Sequence, residues 1–280
     1  MRHYLLVIPA ICALVSCGTV QRNVYRANPI NLPGLTQKGE SRLTAGAGAN
    51  VGLDNGDAIA GGNLQGAYAV SNHLTLMGAY TQRSGSKQGW NDPSEFGLVI
   101  FPVGITARQY PYDSAVLHYR NNTWELGTVY TRRFGRHVFF TIGAGGGAGA
   151  FNLKDGGELH DTGYNAYLNT RVTQWFIQPA MYFKWHRVEL GTGFRISMTH
   201  YDRAATNYTP EQQYDFAVND LQGTNMTMVQ PFCLLRITPG PSWLQLELQG
   251  NVNLGGNSSG PGFSYYYLNG DLGVSVRLGP

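Results

Sequence analysis

WLQLELQGNVNL, Trp243 to Leu254, alternates between two faces along its whole length. One face carries Leu244, Leu246, Leu248, Gly250, Val252 and Leu254; the other carries Gln245, Glu247, Gln249, Asn251 and Asn253. A period of two belongs to a β-strand whose faces meet different surroundings. The direction of the leucines decides the fold. In a soluble barrel they fill the centre. In a membrane barrel they meet lipid, and the polar row lines the lumen.

Such segments recur down the chain, at about 40–52, 62–71, 73–83, 122–134, 137–151, 171–185, 187–201, 226–238, 242–254 and 265–279. Four connections are tight and rich in turn formers: Val70-Ser71-Asn72-His73, Phe134-Gly135-Arg136-His137, Lys184-Trp185-His186-Arg187 and Thr238-Pro239-Gly240-Pro241-Ser242. The others, 53–61, 84–121, 152–170, 202–225 and 255–264, are mostly longer. Short and long alternate. Antiparallel strands therefore put the tight turns and both termini at one end and five loops at the other. Transmembrane barrels have this asymmetry, with short periplasmic turns and longer outer loops. The expected fold is all-β: a closed antiparallel up-and-down barrel of about ten strands, of outer-membrane type.

WFIQPAMYFKW supports the same fold. Trp175, Ile177, Pro179, Met181, Phe183 and Trp185 share one face. Ten residues at about 3.3 Å, tilted roughly 40°, rise about 25 Å, the height of a lipid-facing apolar band. Trp175 and Trp185 then fall at the two membrane interfaces, where amphipathic rings are stable. Further lipid-facing rows are Leu43/Ala45/Ala47/Ala49/Val51, Trp124/Leu126/Thr128/Tyr130, Val138/Phe140/Ile142, Val188/Leu190/Thr192/Phe194/Ile196/Met198 and Tyr266/Leu268/Leu272/Val274/Val276/Leu278. The lumen rows collect Arg42, Glu125, Arg133, Lys184, Glu189, Arg195, Arg236, Glu247, Asp271 and Arg277. Charges of both signs would pair across so narrow a barrel, which predicts a narrow or plugged lumen.

Composition agrees. Of 280 residues only 13% are charged, whereas 12% are aromatic and 37 are glycine, as suits a β-protein that shuns water over much of its surface. The net charge of +3 is spread out, which excludes nucleic acid as an expected partner.

The N-terminus, MRHYLLVIPAICALVSC, has a basic start and an apolar run from Leu5 to Val15, too short for a membrane helix and laid out as a secretory signal. Leu14-Val15-Ser16-Cys17-Gly18 looks like a bacterial lipoprotein box, which implies cleavage before Cys17 and acylation of its thiol. Cys12 leaves with the signal and Cys17 carries lipid, so Cys233 is left without a disulfide partner. No acidic run follows Cys17, and this favours an N-terminus facing the periplasm. The expected organisation is a signal at 1–16, a periplasmic tether at 17–37 and a barrel at 38–280.

VYRANPINLP (residues 24–33), Lys38-Gly39-Glu40 and QGAYAVSNHLTLM (residues 65–77) resemble a family of uncharacterised outer-membrane β-barrel lipoproteins from Bacteroidota. The resemblance is best over about residues 14–80. It implies location and fold, and no catalytic residues.

Other motifs read as structural. GAGGGAGAF, residues 143–151, has overlapping glycine spacings, but no helix pattern follows to complete a phosphate cradle. Its glycines instead suit a curving wall or close approach by a bulky side chain. Among His3, His73, His118, His137, His160, His186 and His200, none has a metal-site spacing; His160 with Asp161 and Glu158 is the one local cluster. His200 with Asp202, and His118, sit where a lipid-modifying barrel enzyme would keep its catalytic group, without a nucleophile spacing. No metal or cofactor is expected.

Loops 84–121 and 202–225 are the better functional candidates. The first carries Trp90, Phe96, Phe101, Tyr110, Tyr112 and Tyr119 around apolar FGLVIFPVGI; the second carries Tyr208, Tyr214 and Phe216. Aromatic loops on a rigid scaffold suit glycans or other envelope proteins, and equally a self-packed cap. The primary reading is a non-enzymatic outer-membrane barrel lipoprotein with a structural or binding role. The alternatives are a soluble lipid-anchored periplasmic barrel with inward leucines around an apolar ligand, and a lipid-modifying outer-membrane enzyme.

Overall fold

The computed structural model describes residues 23–25, 28–51, 58–90, 97–101, 104–108, 114–159, 162–215, 218, 223–254, 263–265 and 268–279. Ten strands form a closed antiparallel barrel. In order around the wall they are β2 (Ser41–Val51), β3 (Ala58–Ala69), β4 (Leu74–Trp90), β7 (Ser114–Arg133), β8 (Val138–Leu159), β9 (Thr162–Lys184), β10 (Val188–Thr206), β11 (Asn225–Ile237), β12 (Leu244–Val252) and β14 (Leu268–Leu278). β14 closes on β2, with Leu278 opposite Ser41 and Leu268 opposite Val51. Closure leaves no sheet edge in the ring, the condition that hydrocarbon imposes on a spanning sheet.

Four short strands lie outside the ring. β5 (Gly97–Phe101) and β6 (Gly104–Arg108) pair as a hairpin. β1 (Asn23–Tyr25) pairs in parallel with β13 (Phe263–Tyr265), in the connection from β12 to β14. One helical turn, α1 (Pro210–Asp215), follows β10. Thr209 caps it: its hydroxyl accepts from Gln212 N–H, and the Gln212 side chain accepts from Thr209 N–H.

The leucines face outward. Leu246 and Leu248 are 46% and 55% exposed, while Glu247 and Gln249 between them are each 4% exposed. Leu43, Leu76, Trp124, Leu126, Phe140, Ile142, Ile177, Met181, Phe194, Met198, Leu272 and Val274 carry the exposed band around the ring. Such a belt around a polar centre is the inverse of a soluble barrel, and its natural solvent is lipid. A soluble carrier with inward leucines is therefore not this fold.

The wall has uneven height. β11, β12, β14, β2 and β3 run 9 to 13 residues, close to the roughly 9–11 of a tilted spanning strand. β4 and β7 to β10 run 17 to 23. Most of the expected loop 152–170, the two ends of 84–121 and the first residues of 202–225 are thus strand that rises past the belt at the loop end. GAGGGAGAF lies wholly within β8.

Polarity inverts within these tall strands. On β7, Trp124, Leu126 and Tyr130 point outward, but higher up His118 and Arg120 are the exposed residues and Ala115, Leu117 and Tyr119 are buried. On β9, outward Trp175, Ile177 and Met181 give way to inward Ala166, Leu168 and Val172. The two outward tryptophans, on either side of β8, stand where the change occurs, as an interface requires. At the turn end Trp185 and Trp243 are exposed.

Leu248 lies midway along β12. Replacing it with arginine is expected to destabilise the barrel in a bilayer by about 2–4 kcal/mol, the cost of a cation at mid-depth. Denaturant unfolding in liposomes measures this, and a neutral result would contradict a lipid-facing row.

Candidate functional site

Residues 28–35 do not hang below the barrel as a tether. They lie buried in its lumen. This corrects the expected position of the arm, and its cause is visible in the contacts. Near the turn end, Arg42 donates to Pro33 O, and Arg236 Nη2 donates to Leu32 O at 2.6 Å. Higher up, Gln178 Nε2 donates to Asn31 O at 3.2 Å and Asn31 Nδ2 donates to Gly78 O at 3.1 Å. The Gln249 amide, turned to satisfy both contacts, bridges the N–H and C=O of Ile30. Highest of the series, Asn28 Nδ2 donates to Glu125 Oε1 at 2.7 Å and its Oδ1 accepts from Thr123 at 2.8 Å. Read from Pro33 back to Asn28, the chain climbs from the turn end toward the loops.

The apolar residues of this arm have places made for them. Ile30 and Leu32 pack with Phe139, Ala180, Tyr182, Phe232 and Leu234. Gly191 faces Leu32 so closely that any side chain there would strike it. Gly34, at φ +60, turns the chain against the Tyr182 ring, where a Cβ would also collide.

The expected lumen charges come together in two tiers around the arm. The lower tier joins Arg42 to Glu189 (3.1 Å), Arg236 to Glu247 (2.6 Å) and Arg277 to both Glu189 (3.3 Å) and Glu40 (2.5 Å). Lys184 sits at its edge, 3.9 Å from Glu189 and partly exposed. The middle tier holds Arg195 to Glu125 at 2.5 Å, with Arg195 also 3.8 Å above the Phe176 ring and Gln174 donating to Glu125. Across the lumen Asp271 accepts from Arg83 at 2.5 Å and from Asn63 at 3.0 Å. Arg83 closes the alternating segment 73–83, and the sequence pattern there gives no sign that β4 continues to Trp90 with Arg83 facing inward. Arg133 is a correction the other way. It is exposed, and it donates to Gly135 O and Arg136 O of its own turn.

Glu40, just before β2, anchors the arm's lower end. It accepts from Thr36 N–H at 2.7 Å and Gln37 N–H at 3.2 Å, opposite Arg277. Burial pushes its pKa up, but the Thr36 N–H, the Arg277 charge and the Gln37 N–H outweigh this and hold it below the ordinary glutamate range. A depressed folded-state pKa means a contribution present above the ordinary value and lost as pH falls through the lowered one.

Above the ionic tiers the interior turns apolar. Ile59, Leu117, Phe151, Leu168, Tyr201 and Val218 belong to one buried cluster. Tyr208 joins it and donates to Asp155 Oδ2 at 2.6 Å; Tyr164 donates to Oδ1 at 2.9 Å. Described parts of loop 202–225 therefore fold inward as a cap, although Tyr214 on α1 is 79% exposed.

His200 faces the side-chain oxygen of Asn225 at 3.0 Å, and Asp202 is exposed beside Arg203. His118 is exposed on the tall wall. Among the described residues no cluster of His, Cys, Asp and Glu could hold a metal. Cys233 faces outward on β11. Cys17, His160, Asp161, Phe96, Tyr110, Tyr112 and Phe216 lie outside the described residues.

Glu125→Ala strands the buried Arg195 and is expected to cost about 3–5 kcal/mol. Adding Arg195→Met should restore part of that loss in unfolding measurements, whereas equal instability of the single and double variants would deny the pair its role.

No family model and no curated protein matches the sequence. Solved structures similar to it are membrane barrels. The outer membrane protease OmpT from Escherichia coli is 12% identical, over 89% of this chain and 99% of that one, with a TM-score of 0.45. The translocator domain of the autotransporter NalP from Neisseria meningitidis is 12% identical, over 86% and 89%, with a TM-score of 0.47. The attachment invasion locus protein Ail of Yersinia pestis is 11% identical, over 86% and 100%, with a TM-score of 0.33. At this distance no activity is carried across, and the fold rests on the strand register itself.

Proposed function

We propose that the protein is a non-enzymatic outer-membrane lipoprotein, acylated at Cys17, whose barrel admits no solute and serves as a rigid base for the wall and loops above it. One observation carries the reading: the lumen is filled at every described level. Arg42, Glu189, Arg236 and Glu247 fill its lower end, residues 28–35 run up its middle, and the Leu117–Phe151–Tyr208 cluster closes the top. A ten-stranded barrel has little interior beyond what its own side chains occupy. The outward belt supports residence in the membrane, and the short turns support a periplasmic turn end.

The role that remains for such a plugged barrel is presentation. The tall strands β4 and β7 to β10 form a fixed surface beyond the membrane, and surfaces on a rigid scaffold suit glycans or proteins of the envelope.

In planar bilayers the full protein is expected to pass no resolvable ion current, and a chain lacking residues 23–36 to leak. Porin-like conductance of the intact protein would defeat this function.

A further inference from the structure

The N-terminal arm enters the lumen at the turn end and climbs. Its successive partners are Arg42 and Arg236, then Gly78, Gln178 and Gln249, then Glu125 and Thr123. Measured along their strands, these partners stand progressively farther from the tight turns. Beyond Asn28, Asn23–Tyr25 pairs in parallel with Phe263–Tyr265. That segment belongs to the β12–β14 connection, which is at the loop end, and Tyr265 is three residues before Leu268, the upper limit of β14. The arm therefore has one end below the barrel, at Glu40, and the other above it, at Asn23.

We propose that the N-terminal arm passes through the barrel from the turn end to the loop end, so that Cys17 lies on the cell-surface side of the membrane. As a site of lipid attachment this rests on the acylation of Cys17 proposed above; as a path for the chain it does not. It is the reverse of the periplasmic N-terminus expected from the lack of an acidic run.

Covalent geometry limits where Cys17 can be. Six Cα–Cα steps separate it from Asn23, a reach of at most about 22 Å even when fully extended. Returning to the turn end would require the chain to descend a lumen already filled, across a spanning height of about 25 Å. The exit is also well placed for a lipid. It lies at the low side of the wall, where β12 and β14 end at Val252 and Leu268, close to the exposed Leu254 and Leu268 at the rim of the belt. Acyl chains on Cys17 would reach the outer leaflet there without crossing the tall strands.

The test uses the full chain, with its signal, carrying a short epitope inserted between Thr19 and Val20. Antibody binding to intact cells is compared with binding after the outer membrane is opened, while incorporation of a clickable fatty acid is read on the same protein, with Cys17→Ser as the unlabelled control. Equal binding in both preparations is expected. Binding that appears only after opening overturns the threaded path, whatever the lipid label reads. Absence of label from the wild-type chain, with the epitope still accessible, overturns the acylation of Cys17 and leaves the path supported.

A second measurement guards against misfolding of the tagged protein. Val24→Cys with Ser264→Cys places two thiols at paired positions of β1 and β13. Oxidation in native membranes should close a loop that shifts the unfolded protein on gels and reverts with reductant. Failure to cross-link in a barrel whose heat-dependent migration is intact would also overturn the path.

Discussion

An extended chain inside a barrel has no neighbouring strand. Its buried peptide groups must still be satisfied, because an unpaired carbonyl or amide out of water costs as much as a lost hydrogen bond or more. Here side chains do what a strand would. Arg42 and Arg236 meet the carbonyls of Pro33 and Leu32, Gln178 meets that of Asn31, and Gln249 serves both groups of Ile30. The lumen is thus polar for two reasons. Its charges answer one another, and they also answer a backbone that nothing else reaches. That second demand explains arginine and glutamine at these positions better than charge pairing alone. Both present several donors in a fixed plane.

The outer face answers to its solvent, which changes with height. Within the belt the wall must be apolar outside, so its polar residues turn inward. Above the belt the outside is water, and the same strands exchange faces: His118 and Arg120 point out while Leu117 and Tyr119 point in. Strand geometry does not change at this level, since β7 and β8 stay in register from Ala115–Gly157 to Arg133–Phe139. Only the choice of face changes. The upper storey is therefore an ordinary water-facing sheet with an apolar inner side, continuous with a membrane barrel beneath it.

This exchange sets what can be read from the chain alone. Strand number, the order of tight turns and loops, the outward leucines of β12 and the paired lumen charges follow from alternation of period two. The tall parts of β7 and β9 do not, because apolar residues there move from one parity to the other. Odd positions 115, 117 and 119 are succeeded by even positions 124 and 126, which reads as the end of a strand and the start of another. Arg83 shares the inward parity of Met77, Ala79 and Thr81, but it stands at the last position that alternation marks on β4. The arm was harder still. ANPINLP has no periodicity to mark a partner, and its burial depends on side chains from several different strands. Arg133 shares the parity of the lumen row but lies too near the turn to be enclosed, and parity alone does not report height.

The lopsided rim gives the molecule a front and a back within the plane of the membrane. On one side strands β4 and β7 to β10 stand as a parapet over the bilayer; on the other, β12, β14 and β2 finish close to the lipid surface. A neighbour drifting in the leaflet meets a screen from one bearing and an open sill from the other. The parallel pair at Asn23–Tyr25 and Phe263–Tyr265 belongs to the sill. Lateral encounters would accordingly be directional, with orientation about the barrel axis decided by nothing more than unequal strand length.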